Sequence, residues 1–277
     1  MSEKSLLLYG ANVQANGIRQ HYLRYGGRGP AVVIVPGITS PAVTWGFVAE
    51  RFGRHYDTYV LDVRGRGFSE ASDALDYGID ACAADVAALA VVLGIERYSL
   101  VGHSMGARIG IRVARNYAER LEKLVMVDPP VSGPGRRPYP SPLPWYVDSI
   151  RLAQRGITVD EMRAFCPTWT DEQLRLRAEW LHTCNLRAVV TTFDSFHQDD
   201  IHVDLPHVAV PALLMTAGRG GVILDEDRKE IQDLLPGLQI AHVANAGHMI
   251  PWDNEEGFYN AFNNFLGHSL STPGHPP

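Results

Sequence analysis

Short apolar runs alternate along this chain with longer segments that carry the periodicity of an amphipathic helix. Most of the runs lack the every-second-residue alternation of a half-exposed strand, which indicates strands buried on both faces of a mainly parallel sheet. This alternation predicts an α/β fold, with a mostly parallel central sheet flanked by helices. The six predicted strands are 31–37, 57–65, 98–104, 121–129, 211–218 and 238–248. The helices predicted between and after them are 80–94, 105–121, 225–235 and 255–267.

The alternation breaks between Pro129 and Pro211. Proline is dense at the start of this stretch, and such density excludes a helix or a central strand there. The prolines are Pro129, Pro130, Pro134, Pro138, Pro140, Pro142 and Pro144. Helical segments without an intervening strand follow, at 148–156, 158–165, 170–182 and 185–197. We therefore expect a helical cap at residues 132–205, inserted into an α/β core formed by residues 1–131 and 206–277.

Charge and composition exclude several functional classes. A formal net charge of −6 leaves no basic surface for nucleic acid or for an anionic membrane. No segment reaches the roughly 20 apolar residues of a membrane span, and the apolar stretch near the N-terminus is too short for a secretory signal. Cys82, Cys166 and Cys184 show no CxxC spacing, so neither a disulfide framework nor a cysteine zinc site is expected. These observations predict a cytoplasmic protein and leave its oligomeric state open.

The segment GHSMG at 102–106 fits the pattern G-x-S-x-G and follows a predicted strand directly. A sharp strand-to-helix turn would hold the serine in strained backbone angles, and the neighbouring residues must then be glycine. The Ser104 hydroxyl would stand at the carboxyl edge of the sheet, at the positive end of the next helix. A chance match is the alternative, and the flanking elements argue against it. Ser104 is the candidate nucleophile, and His103 is predicted to be structural.

A serine hydroxyl is a poor nucleophile without a base, so a histidine should follow late in the chain. Of the eleven histidines, His248 in NAGHMIPWD is the best placed. It comes at the end of the last predicted strand, where Gly247 allows a tight loop. His242 lies within that strand and is interpreted as a packed residue. We predict that His248 is the general base and that no metal takes part, because the chain has no H-x-x-x-H spacing.

These motifs, together with DVRGRGFS at 62–69, resemble the α/β-hydrolase superfamily over nearly the whole chain. In that family the charged residues of the DVRGRGFS stretch more often stabilise loops than contact substrate. The resemblance also implies a third catalytic member, an acid that orients the histidine, with the chain order serine, acid, histidine.

The position of the acid departs from the usual family pattern. In most members it follows the strand that is 211–218 here, but Gly221 occupies its place. Asp225 begins the next predicted helix, where helix capping is the alternative role. Asp128 ends the preceding strand, two prolines after it fix the loop, and some family members carry the acid there. We predict Asp128 as the acid and keep Asp225 as the reserve.

An acyl-transfer site needs donors for the developing oxyanion. The resemblance implies the backbone N–H of Met105, directly after the nucleophile, and that of Ile38, in the loop after strand 31–37. Family members usually have His-Gly in that loop and this chain has Pro-Gly, which removes a side chain and keeps the backbone donor. Thr39 and Ser40 lie beside it and are candidate substrate contacts.

Six further stretches resemble a narrower group of the superfamily, the formyl-amide hydrolases of aerobic bacterial nicotinate breakdown. They come from the predicted core and the predicted cap alike: NGIRQHYLRYGG, VPGITSPAVTWGFVAERF, VLDVRGRG, VDPPVSGPGRRPYPSPLPWYVDSI, AEWLHTC and AGHMIPWD. The resemblance implies hydrolysis of a small anionic amide, N-formylmaleamate, to maleamate and formate without metal or cofactor.

The carboxylate of such a substrate should face a cation or several donors. Arg108, Arg136 and Arg137 are candidates, although a surface or structural role is the alternative for each. Aromatic and histidine side chains of the predicted cap are candidates for the pocket wall, with packing in the core of the cap as the alternative. They are Trp145, Tyr146, Trp169, Trp180 and His182.

Two other interpretations stay open. Within the same fold, the chain could be a carboxylesterase, a lactonase or a carbon–carbon bond hydrolase. In a different class, it could be a non-catalytic, hydrolase-like receptor that binds a small ligand. The presence of Ser104, His248 and Asp128 argues against a pseudo-enzyme that has lost a member, but some receptors keep all three. Ligand binding without turnover would identify a receptor.

Overall fold

The computed structural model describes residues 4–271, and its centre is one eight-stranded β-sheet. In chain order the strands are β1 (Leu7–Ala15), β2 (Ile18–Tyr25), β3 (Ala31–Val35), β4 (Asp57–Asp62), β5 (Tyr98–His103), β6 (Leu121–Val127), β7 (Ala212–Ala217) and β8 (Gln239–Val243). Their order across the sheet is β1-β2-β4-β3-β5-β6-β7-β8, and every neighbouring pair from β4 to β8 is parallel. All six residues of β5 are buried, which explains why this run shows no alternation. The predicted α/β class is confirmed.

The hairpin of β1 and β2 is absent from the sequence-based prediction. These strands pair antiparallel with each other, and β2 pairs antiparallel with β4. Most of β1 is exposed, so a search for buried apolar runs misses it. The signal was the dipeptide Asn16-Gly17, whose φ angles of 51° and 74° form a two-residue hairpin turn.

Ten α-helices are described between residues 4 and 271, beside five short 3₁₀ helices. The α-helices are α1 (Gly46–Phe52), α2 (Ile79–Val92), α3 (Met105–Asn116), α4 (Leu143–Ala153), α5 (Val159–Arg163), α6 (Asp171–Trp180), α7 (Leu186–Gln198), α8 (Asp225–Leu234), α9 (Ile250–Asp253) and α10 (Glu255–Phe262). Within this part of the chain, none is long and apolar enough to cross a membrane. The helix predicted at 105–121 stops at Asn116, because Leu121 already pairs with Tyr98 in the sheet.

Between β6 and β7 the described chain forms helices α4 to α7 and no strand. Helix α4 begins inside the proline-rich stretch, because Pro144 lies in the first helical turn, where its missing N–H costs no hydrogen bond. Helices α4 and α6 and the segment between α5 and α6 form one wall of a cavity that the loops at the carboxyl ends of the strands complete. The division of the chain into core and cap at residues 131 and 205 stays a prediction. The two ends of the predicted core, residues 1–3 and 272–277, lie outside the described part.

Two glycines let the start of α3 approach the sheet backbone. A β-carbon on Gly102 would lie 2.2 Å from the carbonyl oxygen of Gly106. One on Gly106 would lie 1.8 Å from the carbonyl oxygen of Val35, at the end of β3. Both contacts are with backbone, which cannot turn aside as a side chain can. The turn between β5 and α3 therefore requires glycine at both positions.

We expect Gly106→Ala to lower the free energy of unfolding by about 3 kcal/mol or more, since the new methyl group forces α3 away from β3. Chemical denaturation of the purified protein measures this. Gly46→Ala is the matched control, because its methyl group would meet only the Tyr25 hydroxyl, at 3.3 Å. We expect that control to stay within about 1 kcal/mol of the wild type. Equal stability of the two variants would contradict the packing argument.

Candidate active site

Ser104 occupies the sharp turn that joins β5 to α3. Its φ of 53° and ψ of −117° are rare for a residue with a side chain, and such strain costs about 1–3 kcal/mol. Its N–H donates to the Val127 carbonyl, 2.9 Å away at the end of β6, so the turn is fixed to the neighbouring strand. Only 1% of the residue is exposed. The hydroxyl is thus held at the carboxyl edge of the sheet.

The imidazole of His248 connects Ser104 to Asp128. Its Nε2 lies 2.9 Å from the Ser104 Oγ, and its Nδ1 lies 2.7 Å from Asp128 Oδ2. An ionised carboxylate can only accept, so Nδ1 carries the proton and donates it to Asp128. Nε2 is then unprotonated and can accept the Ser104 hydroxyl proton. This is the tautomer that a general base requires.

Asp128 is buried, with 1% of the residue exposed, and it is fixed by main-chain contacts. Its N–H donates to the Met215 carbonyl at 2.9 Å, and its Oδ1 accepts from the Ala217 N–H at 3.4 Å. The reserve candidate, Asp225, is exposed at the start of α8 and pairs with Arg228 at 3.0 Å. The structure therefore joins His248 to Asp128 and leaves Asp225 at the surface.

The loop after β3 brings the backbone of Ile38 close to the start of α3. Within the described residues, the N–H groups of Ile38 and Met105 donate to no protein acceptor. The loop is braced from behind, because Arg66 Nε donates to the Ile38 carbonyl at 3.1 Å and Asp62 Oδ1 accepts from the Ala42 N–H at 2.6 Å. Two free donors on a fixed backbone can bind an oxyanion. Arg66 and Asp62 stabilise this loop, as predicted.

His103 packs behind the histidine of the site, with the two ring centroids 5.0 Å apart. Its Nε2 lies 2.9 Å from the His248 carbonyl oxygen and must donate, because a carbonyl can only accept. Burial and, to a smaller extent, the neighbouring His248 together lower the pKa of His103 from 6.5 to about 3. His103 is therefore neutral in the folded protein and holds the backbone of the His248 loop.

A cavity of about 210 Å³ opens onto the Ser104 hydroxyl. The predicted contacts Thr39 and Ser40 line it, beside Ile38 and His248. The opposite wall comes from α4, α6 and the segments around α5. Its main side chains are Trp145, Tyr146, Phe165, Trp169 and Arg177. A cavity of this size with a mostly aromatic wall suits a small planar substrate.

Arg108 and Arg136, two of the predicted carboxylate partners, do not line this cavity. Arg108 is buried, and its guanidinium donates to four main-chain carbonyls, those of Pro130, Ser132, Ser195 and Asp199. Arg136 forms a two-pronged ion pair with Glu230 of α8, both contacts at 2.8 Å. Protein acceptors already bind both guanidinium groups, apart from the Nε of Arg108, and neither group reaches the cavity, so the structure gives both arginines the structural role that was the alternative.

Arg137, Trp180 and His182 also lie away from the cavity. Arg137 pairs with Asp227 of α8. Trp180 packs edge-on against the ring of Phe68, with centroids 5.4 Å apart, and His182 is exposed. Arg137 lies in the proline-rich loop, and Trp180 and His182 lie at the end of α6, all outside the cavity. Residue type alone does not predict this placement.

Arg177 supplies the positive charge that sequence reasoning missed. It is buried on α6, lines the cavity, and donates to the carbonyl and the hydroxyl of Thr39 at 3.3 and 3.2 Å. A signal was present, since Arg177 lies at i+3 from the buried Leu174 and four residues before the buried Leu181, on the apolar face of the helix. An arginine on such a face is a better candidate than one in a polar loop.

The assembled groups suit acyl transfer: a hydroxyl beside a base, a base beside an acid, and two free backbone donors. Among residues 4–271, no group of three or more His, Cys, Asp or Glu side chains is placed to hold a metal ion.

The neutral state of His103 has a consequence for stability. The unfolded chain binds a proton at this position near pH 6.5, while the folded protein resists it down to about pH 3. Stability from this residue is therefore present above pH 6.5 and is lost as the pH falls below it, by about 1.4 kcal/mol per pH unit. We expect His103→Gln to remove this part of the slope between pH 6.5 and 4.5, as measured by urea unfolding. His207→Gln, at an exposed histidine, should keep the wild-type slope, and equal slopes in all three proteins would contradict the assignment.

Comparison with known proteins places this site in a family. The model of the alpha/beta hydrolase family matches residues 32–261. The N-formylmaleamate deformylase of Pseudomonas putida strain KT2440 is 65% identical over 266 residues, which cover 96% of this chain and 99% of that protein.

Solved structures agree. A serine-to-alanine variant of the N-formylmaleamic acid deformylase from Pseudomonas putida S16 superposes with a TM-score of 0.89 at 57% identity, over 92% of this chain and all of that one. The E-2-(acetamidomethylene)succinate hydrolase superposes with a TM-score of 0.77 at 22% identity, over 94% and 99% of the two chains, and shares the fold. This chain belongs to the alpha/beta hydrolase family.

Proposed function

We propose that this protein hydrolyses the formyl amide of N-formylmaleamate, releasing maleamate and formate. One observation carries the proposal: the 65% identity to the Pseudomonas putida deformylase extends over 96% of the chain, so it includes the cavity-lining helices as well as the sheet. The substrate is a small anionic amide, which agrees with a cavity of about 210 Å³. We also propose a cytoplasmic location, where the three free cysteines would stay reduced.

In the first half-reaction, Ser104 Oγ attacks the formyl carbon. His248 Nε2, 2.9 Å away, takes the hydroxyl proton as the C–O bond forms. Asp128 stabilises the imidazolium that results, through the 2.7 Å contact with Nδ1. The tetrahedral intermediate collapses when the C–N bond breaks and His248 returns the proton to the leaving nitrogen. Maleamate departs, and the formyl group stays on Ser104 as an ester.

The negative charge on the formyl oxygen is stabilised by the backbone N–H groups of Ile38 and Met105. Loss of one such donor costs on the order of 10²–10³ in rate, so their positions must be fixed. Arg66 and Asp62 fix the loop of Ile38, and the helical hydrogen bonds of α3 fix Met105.

In the second half-reaction, His248 takes a proton from water, and the hydroxide attacks the formyl ester. The C–O bond to Ser104 breaks, His248 returns the proton to Ser104 Oγ, and formate leaves. A formyl carbon carries only hydrogen beside its oxygen and its leaving group, so water approaches it without hindrance from an acyl chain.

We expect Ser104→Ala to lower formate release from N-formylmaleamate by at least about 10⁴-fold, since within residues 4–271 no other hydroxyl contacts His248 Nε2. An enzymatic formate assay measures this. Ser195→Ala is the matched control, because that hydroxyl donates to the Thr192 carbonyl on α7 and should be dispensable. Undiminished formate from Ser104→Ala would overturn the mechanism. Wild-type cleavage of p-nitrophenyl acetate without any formate would instead indicate an esterase or lactonase, and binding without turnover a receptor.

We expect Asp128→Asn to lower kcat by about 10³–10⁴-fold, because the amide cannot stabilise the imidazolium and favours the wrong tautomer of His248. Asp225→Asn should keep the wild-type rate, since that carboxylate is exposed and pairs only with Arg228. The reverse pattern, with the loss in Asp225→Asn, would transfer the acid role to the reserve candidate.

A further inference from the structure

Arg177 is a buried cation on the wall of the cavity that contains Ser104. Only 5% of the residue is exposed, and it lies on α6, across the cavity from the sheet. Its guanidinium reaches Thr39, the residue directly after Ile38. The positive charge therefore lies one residue away from a proposed oxyanion donor.

This charge has no carboxylate partner among residues 4–271. Its protein acceptors are the two oxygens of Thr39, at 3.3 and 3.2 Å, and its Nε has no acceptor. Three other arginines between β6 and β7 have carboxylate partners, Arg136 with Glu230, Arg137 with Asp227 and Arg163 with Asp171, and the remaining ones are exposed to solvent. A buried, unpaired charge is costly unless an anion neutralises it. We therefore expect the anion that neutralises Arg177 to come from a ligand.

Two indole rings hold the guanidinium in place. Its central carbon lies 5.4 Å from the ring centroid of Trp145 and 5.8 Å from that of Trp169. Trp169 in turn stacks on Trp252, with ring planes 7° apart and centroids separated by 5.5 Å. Cation–π attraction stabilises the charge without neutralising it, and the packed rings restrict its rotation. The planar donor group is therefore preorganised.

The other titratable groups that line the cavity are His103, Tyr146, Cys166, His248 and Asp253. Burial lowers the pKa of His103 and raises the pKa of Tyr146 and of Cys166, so these three side chains stay neutral. Asp253 accepts from the Gly247 N–H at 2.8 Å and from the Thr168 hydroxyl at 3.3 Å, and within residues 4–271 it forms no ion pair with Arg177. His248 is occupied by Ser104 and Asp128. Arg177 is left as the group that can attract an anion.

We propose that Arg177 binds the carboxylate of the substrate and selects small carboxylate-bearing amides over neutral ones. The inference rests on the proposed function for the identity of the substrate. A guanidinium donates two parallel hydrogen bonds to a carboxylate, which fixes orientation as well as position. With the carboxylate on Arg177, the far end of a short substrate points along Thr39 and Ile38 toward Ser104.

Steady-state kinetics on N-formylmaleamate and on its methyl ester test the proposal. We expect Arg177→Met to lower kcat/KM for the acid by about 10²–10³-fold, chiefly through KM, and to lower it for the methyl ester at least tenfold less. Arg177→Lys should recover part of the loss, because a point charge replaces the two-pronged donor. Arg175→Met, on the exposed face of the same helix, is the matched control and should behave as wild type. Equal losses for acid and ester would overturn the proposal.

A binding measurement separates this proposal from the proposed function. Maleate should raise the Tm of the wild type and of Arg175→Met but not of Arg177→Met, and dimethyl maleate should raise none of them. If the wild type releases no formate, the proposed function fails while the maleate result still decides the role of Arg177. If Arg177→Met does not fold, Arg177→Lys and the comparison of the two ligands on the wild type remain. Equal Tm shifts with maleate and dimethyl maleate would contradict a carboxylate site.

Discussion

The hydrogen-bond register of the parallel strands determines where the groups of this site lie. Val35 pairs with Gly102, Gly102 with Met126, and Met126 with Leu214, so β3, β5 and β6 end within one residue of the same level and β7 extends three residues further. Ser104 lies two residues after Gly102, and Asp128 lies two residues after Met126. The loop of Ile38 begins directly after Val35. A shift of one residue would turn these side chains to the other face of the sheet. Main-chain pairing thus brings together groups that are far apart in sequence.

The fold could be predicted where burial determines the residue type. The runs at β3 to β7 are apolar because both faces of the sheet are covered, and all six predicted strands begin within one residue of the observed ones. Strand β8 lies at the edge of the sheet and is only partly buried, and its His242, which was predicted to be packed, is exposed. Strand β1 is mostly exposed and β2 buries the polar residues Gln20 and His21, so neither forms an apolar run, and the signal of the hairpin is the turn Asn16-Gly17. Helix α1 was also missed, because its seven residues are too few to show a helical period.

Some features of the site can likewise be predicted from local sequence, and others depend on how the helices pack around the cavity. Local backbone requirements predict the turn at Ser104 and the loop at His248, and the structure brings both to Asp128; their catalytic roles remain proposals. The carboxylate partner depends on which side of each helix faces the cavity. Arg108 and Arg136 were chosen by charge and position in the chain, but protein acceptors already occupy them. Arg177 differs from them in lying on the apolar face of α6, and its contact with Thr39 places it at the cavity.

The contacts of Arg108 also bear on how this sequence can change over evolutionary time. This one side chain joins the loop after β6 to the end of α7, and all of its hydrogen-bond acceptors are main-chain oxygens. Main-chain oxygens are the same whichever residue carries them, so the partner positions are free to diverge while position 108 is not. Homologous sequences should therefore keep an invariant arginine here amid variable neighbours, with no covarying partner to reveal the connection. An analysis of correlated substitutions would miss the strongest link between this loop and α7.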